Sequence, residues 1–314
     1  MSEKKSKQQK RVPRIPVHGW VIIDKPAGVS STQVVGKVRR ALNAEKAGHG
    51  GTLDPAATGL LPIALGEATK TVPFVMDGRK TYRFVVAWGE ARATDDAEGE
   101  VVATSAVRPS RAEIEAALAQ FIGRIDQMPP AYSALKIDGA RAYDLARAGG
   151  VPALKSRPVE VYRFELIGTL GPDHAVFEVD CGKGTYVRSL GRDLAVCLGT
   201  RGYVAGLRRT RVGRFTEADA ISLDNFISLS YTTGANPPLL AVATALDDIP
   251  ALALDPGDAT RLKRGQSVRT LPLYGGELGH WPAGATGAAF SGTTLVALVR
   301  IDGDTIVPLR VFNL

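Results

Sequence analysis

The stretch Gly19–Asp24 is almost wholly apolar and predicts a first strand, ended by the Lys25-Pro26-Ala27-Gly28 turn. Val34, Val35, Val38 and Leu42 then recur at helical spacing, with Lys37, Arg39 and Arg40 on the other side, and Ser30 or Ser31 serves as the N-cap. Thr81–Trp88, rich in β-formers, predicts a strand. Ser110-Arg111-Ala112-Glu113 matches a capping box. The apolar face Ile114, Ala117, Leu118, Phe121 and Ile122 follows, and Gly123 is placed to end that helix. Lys136-Ile137-Asp138-Gly139 offers an Asp-Gly hairpin turn. Val159–Ile167 and Val176–Cys181 read as strands. Beyond Gly184–Val187 a helix carries Leu190, Leu194 and Leu198 on one side and ends at Gly199.

These elements predict a mixed α+β domain over residues 15–230, mainly antiparallel, behind a disordered basic tail at 1–14. Residues 231–249 read as a linker. From 250 to 314 the pattern becomes a small β-rich domain: a short helix at Pro256–Arg264 ending at Gly265, then strands at Leu295–Val299 and Thr305–Val311 joined through Asp302-Gly303. Between the first helix and Thr81 lies a different kind of segment. Gly48-His49-Gly50-Gly51-Thr52-Leu53-Asp54-Pro55-Ala56-Ala57-Thr58-Gly59 holds four glycines and a proline, a composition expected to exclude any regular element and to form a specifically shaped loop.

Composition narrows the class. At 45% hydrophobic and 23% charged residues over 314 positions, the chain is globular with length for a sizeable core. Two cysteines, Cys181 and Cys197, exclude a disulfide framework and fit a reducing compartment; with no signal-like or membrane-length apolar run, the expected location is the cytoplasm. The net charge of +7 is uneven. Residues 1–14 carry +5, leaving +2 for the rest, yet Lys183–Arg214 alone carries +7: Lys183, Arg188, Arg192, Arg201, Arg208, Arg209, Arg211 and Arg214 against Asp193. With Tyr186 and Tyr203 interleaved, this stretch suits a phosphate backbone with stacked bases. It equally suits a solvated face, or pairing with the acidic cluster Glu90, Asp95, Asp96, Glu98 and Glu100.

Several chemistries fall away. The four histidines and two cysteines lack close metal-ligand spacing, and neither a phosphate-binding P-loop motif nor a nucleophile-elbow serine motif occurs. Gly182-Lys183-Gly184 begins like a dinucleotide fingerprint, but Val187 stands at the third glycine position. What remains is Asp54, either a turn cap before Pro55 or a carboxylate displayed by a glycine-dense loop between Thr52 and Thr58.

Five blocks settle on one resemblance. Asp24–Ser31, Gly48–Gly59, Lys80-Thr81-Tyr82-Arg83-Phe84, Tyr132–Lys136 and Cys181–Arg188, in this order, closely resemble the TruB family of tRNA pseudouridine synthases across residues 17–215. Gly50 stands where that family commonly has Thr, and Ser31 where Thr is frequent. The resemblance implies a pseudouridine synthase catalytic domain with a C-terminal PUA-like RNA-binding domain reaching the acceptor side of tRNA. It implies isomerisation of uridine 55 in the T-arm loop: C1′–N1 breaks, the uracil turns, and C1′ joins C5. No cofactor, no metal, no membrane and a monomer are expected.

By the same resemblance Asp54 is the catalytic aspartate and Arg188 its partner, the alternative for Arg188 being a phosphate contact. Tyr82 stacks on the uracil or helps remove the C5 proton, or is an ordinary strand aromatic. His49 fills the space left by the flipped base, or makes a loop hydrogen bond. Lys25 organises the loops, and Asp96 pairs with a basic group. Tyr186, Leu207, Arg208 and Arg209 are RNA-binding candidates, with core packing as the alternative for Tyr186. Two further readings stay open: a non-catalytic RNA-binding or RNA-folding protein, and a guide-dependent pseudouridylase acting on other RNAs.

Overall fold

The computed structural model describes residues 13–133, 136–137, 140–141, 154–232, 238–269, 281, 284–302 and 304–314. Most of the basic tail, the Asp138-Gly139 turn, part of the 231–249 segment and Gly303 lie outside them.

In chain order the first half comprises β1 (Gly19–Lys25), α1 (Ser31–Ala41), β2 (Ala47–His49), β3 (Thr58–Leu65), α2 (Val72–Asp77), β4 (Lys80–Trp88), β5 (Glu90–Arg92), β6 (Val101–Thr104), α3 (Arg111–Leu118) and β7 (Gly123–Gln127). After the short pair β8 (Lys136–Ile137) and β9 (Ala140–Arg141) come β10 (Arg157–Thr169), β11 (His174–Cys181), α4 (Val187–Cys197), β12 (Gly202–Val212), β13 (Phe215–Thr216), β14 (Ala220–Ser222) and α5 (Leu223–Thr232). Ten strands form one sheet in the order β14-β1-β3-β12-β4-β11-β10-β7, with β2 on β3 and β13 on β12. Only the β1–β14 and β12–β3 pairings are parallel, as the mainly antiparallel α+β expectation requires.

The apolar run of β1 is continuous because both faces of that strand are covered. Trp20 and Ile22 pack with Val212 and Phe215, while Val21 and Ile23 pack on the opposite side with Val34 and Val38 of α1 and Phe226 of α5. At the other end the sheet is one-sided. Ala175, Phe177, Val179 and Cys181 alternate inward along β11, beneath Ile114 and Leu118 of α3 and Leu190 and Leu194 of α4. The rings of Phe84 and Phe177 stack at 5.4 Å between centroids. On the outer face Arg163 spans Glu165, Glu178 and Asp180. Both predicted caps form as capping boxes: Ser30 with Gln33 for α1, and Ser110 with Glu113 for α3.

The structure corrects three expectations. The segment 48–59 is not wholly irregular: β2 takes Gly48 and His49, and β3 takes Thr58 and Gly59, so the free loop is 50–57. Ladder pairing with β3, Gly48 opposite Ala64, overrides the poor strand propensity of glycine. Gly123 does not end the α3 helix. That helix passes into a 3-10 turn, Ala119–Phe121, and Gly123 instead starts β7 at φ +93°, leaving Ile122 exposed. Residues 238–249, read as linker, are packed: Trp20 and Leu240 exchange two backbone hydrogen bonds, each 2.8 Å, and Val242 and Leu246 are buried in the core cluster of Trp20. Their apolar side chains outweigh the turn-rich Asn-Pro-Pro beside them.

The C-terminal portion adds β15 (Ala251–Ala253), α6 (Pro256–Lys263), β16 (Val268–Arg269), β17 (Thr286–Ser291), β18 (Thr294–Asp302) and β19 (Thr305–Val311), in the sheet order β15-β17-β18-β19-β16. Leu252, Leu262, Val296, Val299 and Ile306 form its own core, while Leu298 and Phe312 join Val242 and Leu246 against the main sheet.

Candidate active site

A cleft of about 450 Å³ opens where β4 and β12 meet the 50–57 loop and the turn 182–186 that leads into α4. Asp54 stands on its wall, and every element around it is tied to a neighbour. The Ser31 hydroxyl, at the start of α1, accepts from the Leu53 amide and donates to the Leu53 carbonyl, both at 2.9 Å. Lys25, buried at the end of β1, donates to the carbonyls of Pro26, Val29 and Pro55 at 2.8–2.9 Å. From below, Arg209 of β12 donates to the carbonyls of Gly51, Thr52 and Leu60. Two buried cations thus grip the carbonyls on either side of Asp54, leaving the Asp54 side chain 41% exposed.

Gly59 permits this approach. It sits at φ +98°, and a Cβ there would lie 2.2 Å from the Arg209 carbonyl oxygen. Gly59→Ala is therefore expected to cost about 2–5 kcal/mol from strain and overlap together, read as a lowered urea midpoint. Gly50, which departs from the family's common Thr, is also explained: a Cβ would meet Val75 of α2 at 2.6 Å.

Arg188, in the first turn of α4, is 6% exposed in its side chain and fully committed. Its Nε meets Asp54 Oδ2 at 3.0 Å, one terminal nitrogen donates to Asp96 Oδ2 at 3.2 Å and to the Thr94 carbonyl at 2.9 Å, and the other donates to the Tyr132 carbonyl at 2.9 Å. Asp96 is the acidic partner expected from the sequence. It is delivered by the β5–β6 excursion, which returns to β12 through the Val204 amide and the Asp95 carbonyl. Asp95 similarly holds Arg192 at 2.8 Å.

Tyr82 and Leu207 line the cleft from adjacent strands, and Tyr186 lines it from the α4 cap, its backbone bracketed by Gln127 at 2.8 and 3.1 Å. Burial pushes the Tyr82 phenol above its usual range, opposed by the charge of Arg209 and a hydrogen bond from it. Burial lowers Lys25 to about 8, with Asp54 opposing the fall. Lys80, two residues before Tyr82 and so on the same strand face, also lines the cleft; burial and then Arg209 lower it to about 8. That strand period was the signal available for Lys80.

One RNA-binding candidate, Arg208, lies away from the cleft, and another, Arg209, lines it from beneath the loop. Alternation along β12 turns Arg208 away from the cleft, where it pairs with Asp24 at 2.9 Å and Glu217 at 2.6 Å. Arg209 is 1% exposed and serves the loop carbonyls, so a phosphate cannot reach it. His49 is not among the cleft-lining residues. Its Nδ1 accepts from the Gly51 amide at 3.4 Å, and burial, then Arg209, lower its pKa. The basic stretch as a whole is therefore mostly an ion-pair framework. Among the described residues, no group of three or more His, Cys, Asp or Glu converges as a metal site, and no helix is long and apolar enough to cross a membrane.

The two buried lysines carry a sign-determined pH effect. Between about pH 8 and 10.5 the unfolded chain keeps protons on both that the folded chain has lost, so their contribution to stability rises with pH. Cys181, buried and pushed up to about 12, opposes this above its ordinary value of 9.0. Urea midpoints are therefore expected to climb from pH 8 to 9, and more slowly above 9. A fall from pH 8 to 9 would contradict these assignments.

Comparison with known proteins now decides the family. Residues 39–187 match the TruB family pseudouridylate synthase N-terminal domain, and residues 188–248 match the tRNA pseudouridylate synthase B C-terminal domain. The chain belongs to the TruB family. A relative from Caulobacter sp. (strain K31) named tRNA pseudouridine synthase B is 53% identical over 300 residues, covering 95% of this chain and 97% of the relative. One of the same name from Bradyrhizobium diazoefficiens is 53% identical over 326 residues, covering 100% and 92%. Among solved structures, an H/ACA RNP bound to a substrate RNA containing 2′-deoxyuridine shares the fold at TM-score 0.73 and 23% identity, over 95% of this chain and 86% of that one. A Cbf5-Nop10-Gar1 complex matches at TM-score 0.72 and 26% identity, over 94% and 85%. The Asp54 loop and the Arg188 helix are the facing walls of this cleft.

Proposed function

We propose that this protein isomerises uridine to pseudouridine in tRNA, at position 55 of the T-arm loop, with Asp54 as the catalytic group. The observation that carries this reading is the Asp54–Arg188 contact in an open cleft, within a chain about half identical to tRNA pseudouridine synthases over nearly its whole length. The cleft has room for one extruded base. Tyr82 and Leu207 supply apolar surface for the uracil, and Arg188, anchored by Asp96 and two carbonyls, fixes the direction of the Asp54 carboxylate.

The chemistry balances without a carrier. The C1′–N1 bond breaks, the C1′–C5 bond forms, and the C5 proton leaves to solvent while N1 gains one, so no redox cofactor is required. Asp54 acts as nucleophile or base in that exchange. Tyr82, its phenol pushed up by burial, is protonated at neutral pH and offers a stacking surface to the uracil. Extruding a loop base costs a few kcal/mol, offset by stacking and backbone contacts in the complex. The C-terminal sheet, joined to the catalytic body through Leu298 and Phe312, serves as a PUA-like platform toward the acceptor side of tRNA.

The likeness to the H/ACA RNP structure, at 23% identity, speaks only to fold and does not favour the guide-dependent reading. The test is to incubate purified protein with a T-arm stem-loop, alone, and to map pseudouridine by sequencing. Conversion at the T-loop uridine is expected. Conversion only after adding a guide RNA or accessory protein would favour the guide-dependent reading, and tight binding with no conversion would favour an RNA-binding protein.

A further inference from the structure

We propose that Lys183 and Arg79 form a phosphate subsite at the mouth of the cleft, taking the RNA backbone beside the inserted nucleotide, with Asp77 as the exchangeable counterion of Lys183. The inference rests on the reading of the cleft as an RNA-base site.

Lys183 differs from the other cleft-lining cations of its stretch. Arg188 is held by Asp54 and Asp96, and Arg209 is sunk under the loop. Lys183 stands on the cleft wall with a side chain 62% exposed, and among the described residues it meets only the equally open Asp77 (61%), at 2.7 Å, at the end of α2. An exposed pair of this kind contributes little to stability and is readily exchanged. A phosphodiester can therefore replace Asp77 at little cost, whereas nothing comparable can dislodge Arg188.

Arg79, two residues beyond Asp77, is exposed, and its guanidinium lies 3.8 Å from the centre of the Tyr162 ring. The Tyr162 hydroxyl in turn sits 3.6 Å from the Cβ position of Gly182, next to Lys183. Arg79 and Lys183 therefore flank one rim, and among the described residues no carboxylate is paired with Arg79. The rim is rigid: the Gly213 amide donates to the Arg79 carbonyl at 2.7 Å, and Gly78 packs against Gly213. Stacking holds the guanidinium plane with its edge donors available. Buried Lys80 is spent within the same turn, its ammonium donating to the carbonyls of Met76 and Gly78. When a base enters the cleft, its own phosphates stay outside, where these cations stand.

The test uses full-length protein and a fluorescent T-arm stem-loop, with Kd measured from 50 to 300 mM NaCl. Lys183→Gln and Arg79→Gln are each expected to weaken binding about 3–10-fold at 100 mM salt and to flatten the slope of log K against log salt by about 1, the loss falling on KM more than on kcat. Asp77→Asn is expected to tighten binding, because the competing carboxylate is gone. Equal thermal midpoints for the exposed-site variants exclude misfolding. Unchanged slopes in both cation variants, or weaker binding by Asp77→Asn, would overturn the subsite. If wild type binds with this salt pattern but forms no pseudouridine, the functional reading fails and the subsite stands. If wild type converts the RNA but both cation variants keep its salt slope, the subsite fails and the functional reading stands.

Discussion

Asp54→Asn is expected to lower the rate of pseudouridine formation by about four orders of magnitude or more, the scale seen when a nucleophile or base is removed from an otherwise intact site. The amide keeps the shape of the carboxylate and an acceptor for Arg188 Nε, but it can neither form the same adduct nor take a proton. The fold should survive. Asp54 is 41% exposed, and Arg188 keeps Asp96 and the carbonyls of Thr94 and Tyr132. Stability should change by about 1–2 kcal/mol at most. Lys25 should titrate lower still, because Asp54 is the charge that raises it. Single-turnover conversion of a T-arm stem-loop, beside a urea melt of the same preparation, checks both halves. A variant as active as wild type would remove Asp54 from the chemistry.

Arg209→Gln is expected to cause the largest loss of stability among the site substitutions. One buried carbonyl, of Leu60, and two part-buried ones, of Gly51 and Thr52, lose a charged donor, and glutamine is too short to serve them all. The orphaned buried acceptor costs about 1–3 kcal/mol and each part-buried one about 0.5–1.5 kcal/mol, so a loss of about 2–6 kcal/mol follows. Turnover should fall as well, because the freed loop no longer presents Asp54 to Arg188. Arg209→Lys should recover only part of the loss, since it keeps the charge but not the planar fork. The phenol gives a separate readout. Without the Arg209 charge, spectrophotometric titration should find Tyr82 ionising at higher pH than in wild type. Wild-type stability with wild-type turnover in Arg209→Gln would remove the clamp from the account.

Much of this was legible in the chain because it is local. Capping residues announced α1 and α3, and β-forming residues announced β4. Asp54, Tyr82 and Arg188 sit in sequence segments that resemble one family, and with Leu207 they meet at one cleft. Charge was the least legible feature. The eight cations in 183–214 left a nucleic-acid surface, a solvated face and pairing with the acidic cluster all open; Arg192 faces Asp95 of that cluster and Arg208 faces Asp24, partners 97 and 184 positions away that only strand order brings near. For the same reason Arg209 looked like a phosphate contact: nothing local tells that the Asp54 loop folds over it. The packing of Val242 and Leu246 was hidden by the turn-forming residues before them, and Gly123 could have ended a helix or begun a strand on conformational grounds alone.

The central claim is that one uridine, held between the Asp54 loop and Arg188, exchanges its C1′–N1 bond for C1′–C5. Forming that bond must expel the hydrogen on C5. The most direct measurement therefore uses a T-arm RNA carrying tritium at C5 of the position-55 uridine alone, incubated with the protein and nothing else. The account predicts one equivalent of tritium released to water per RNA converted with wild type, and none above background with Asp54→Asn. No release from wild type, or release that persists in the Asp54 variant, would contradict it.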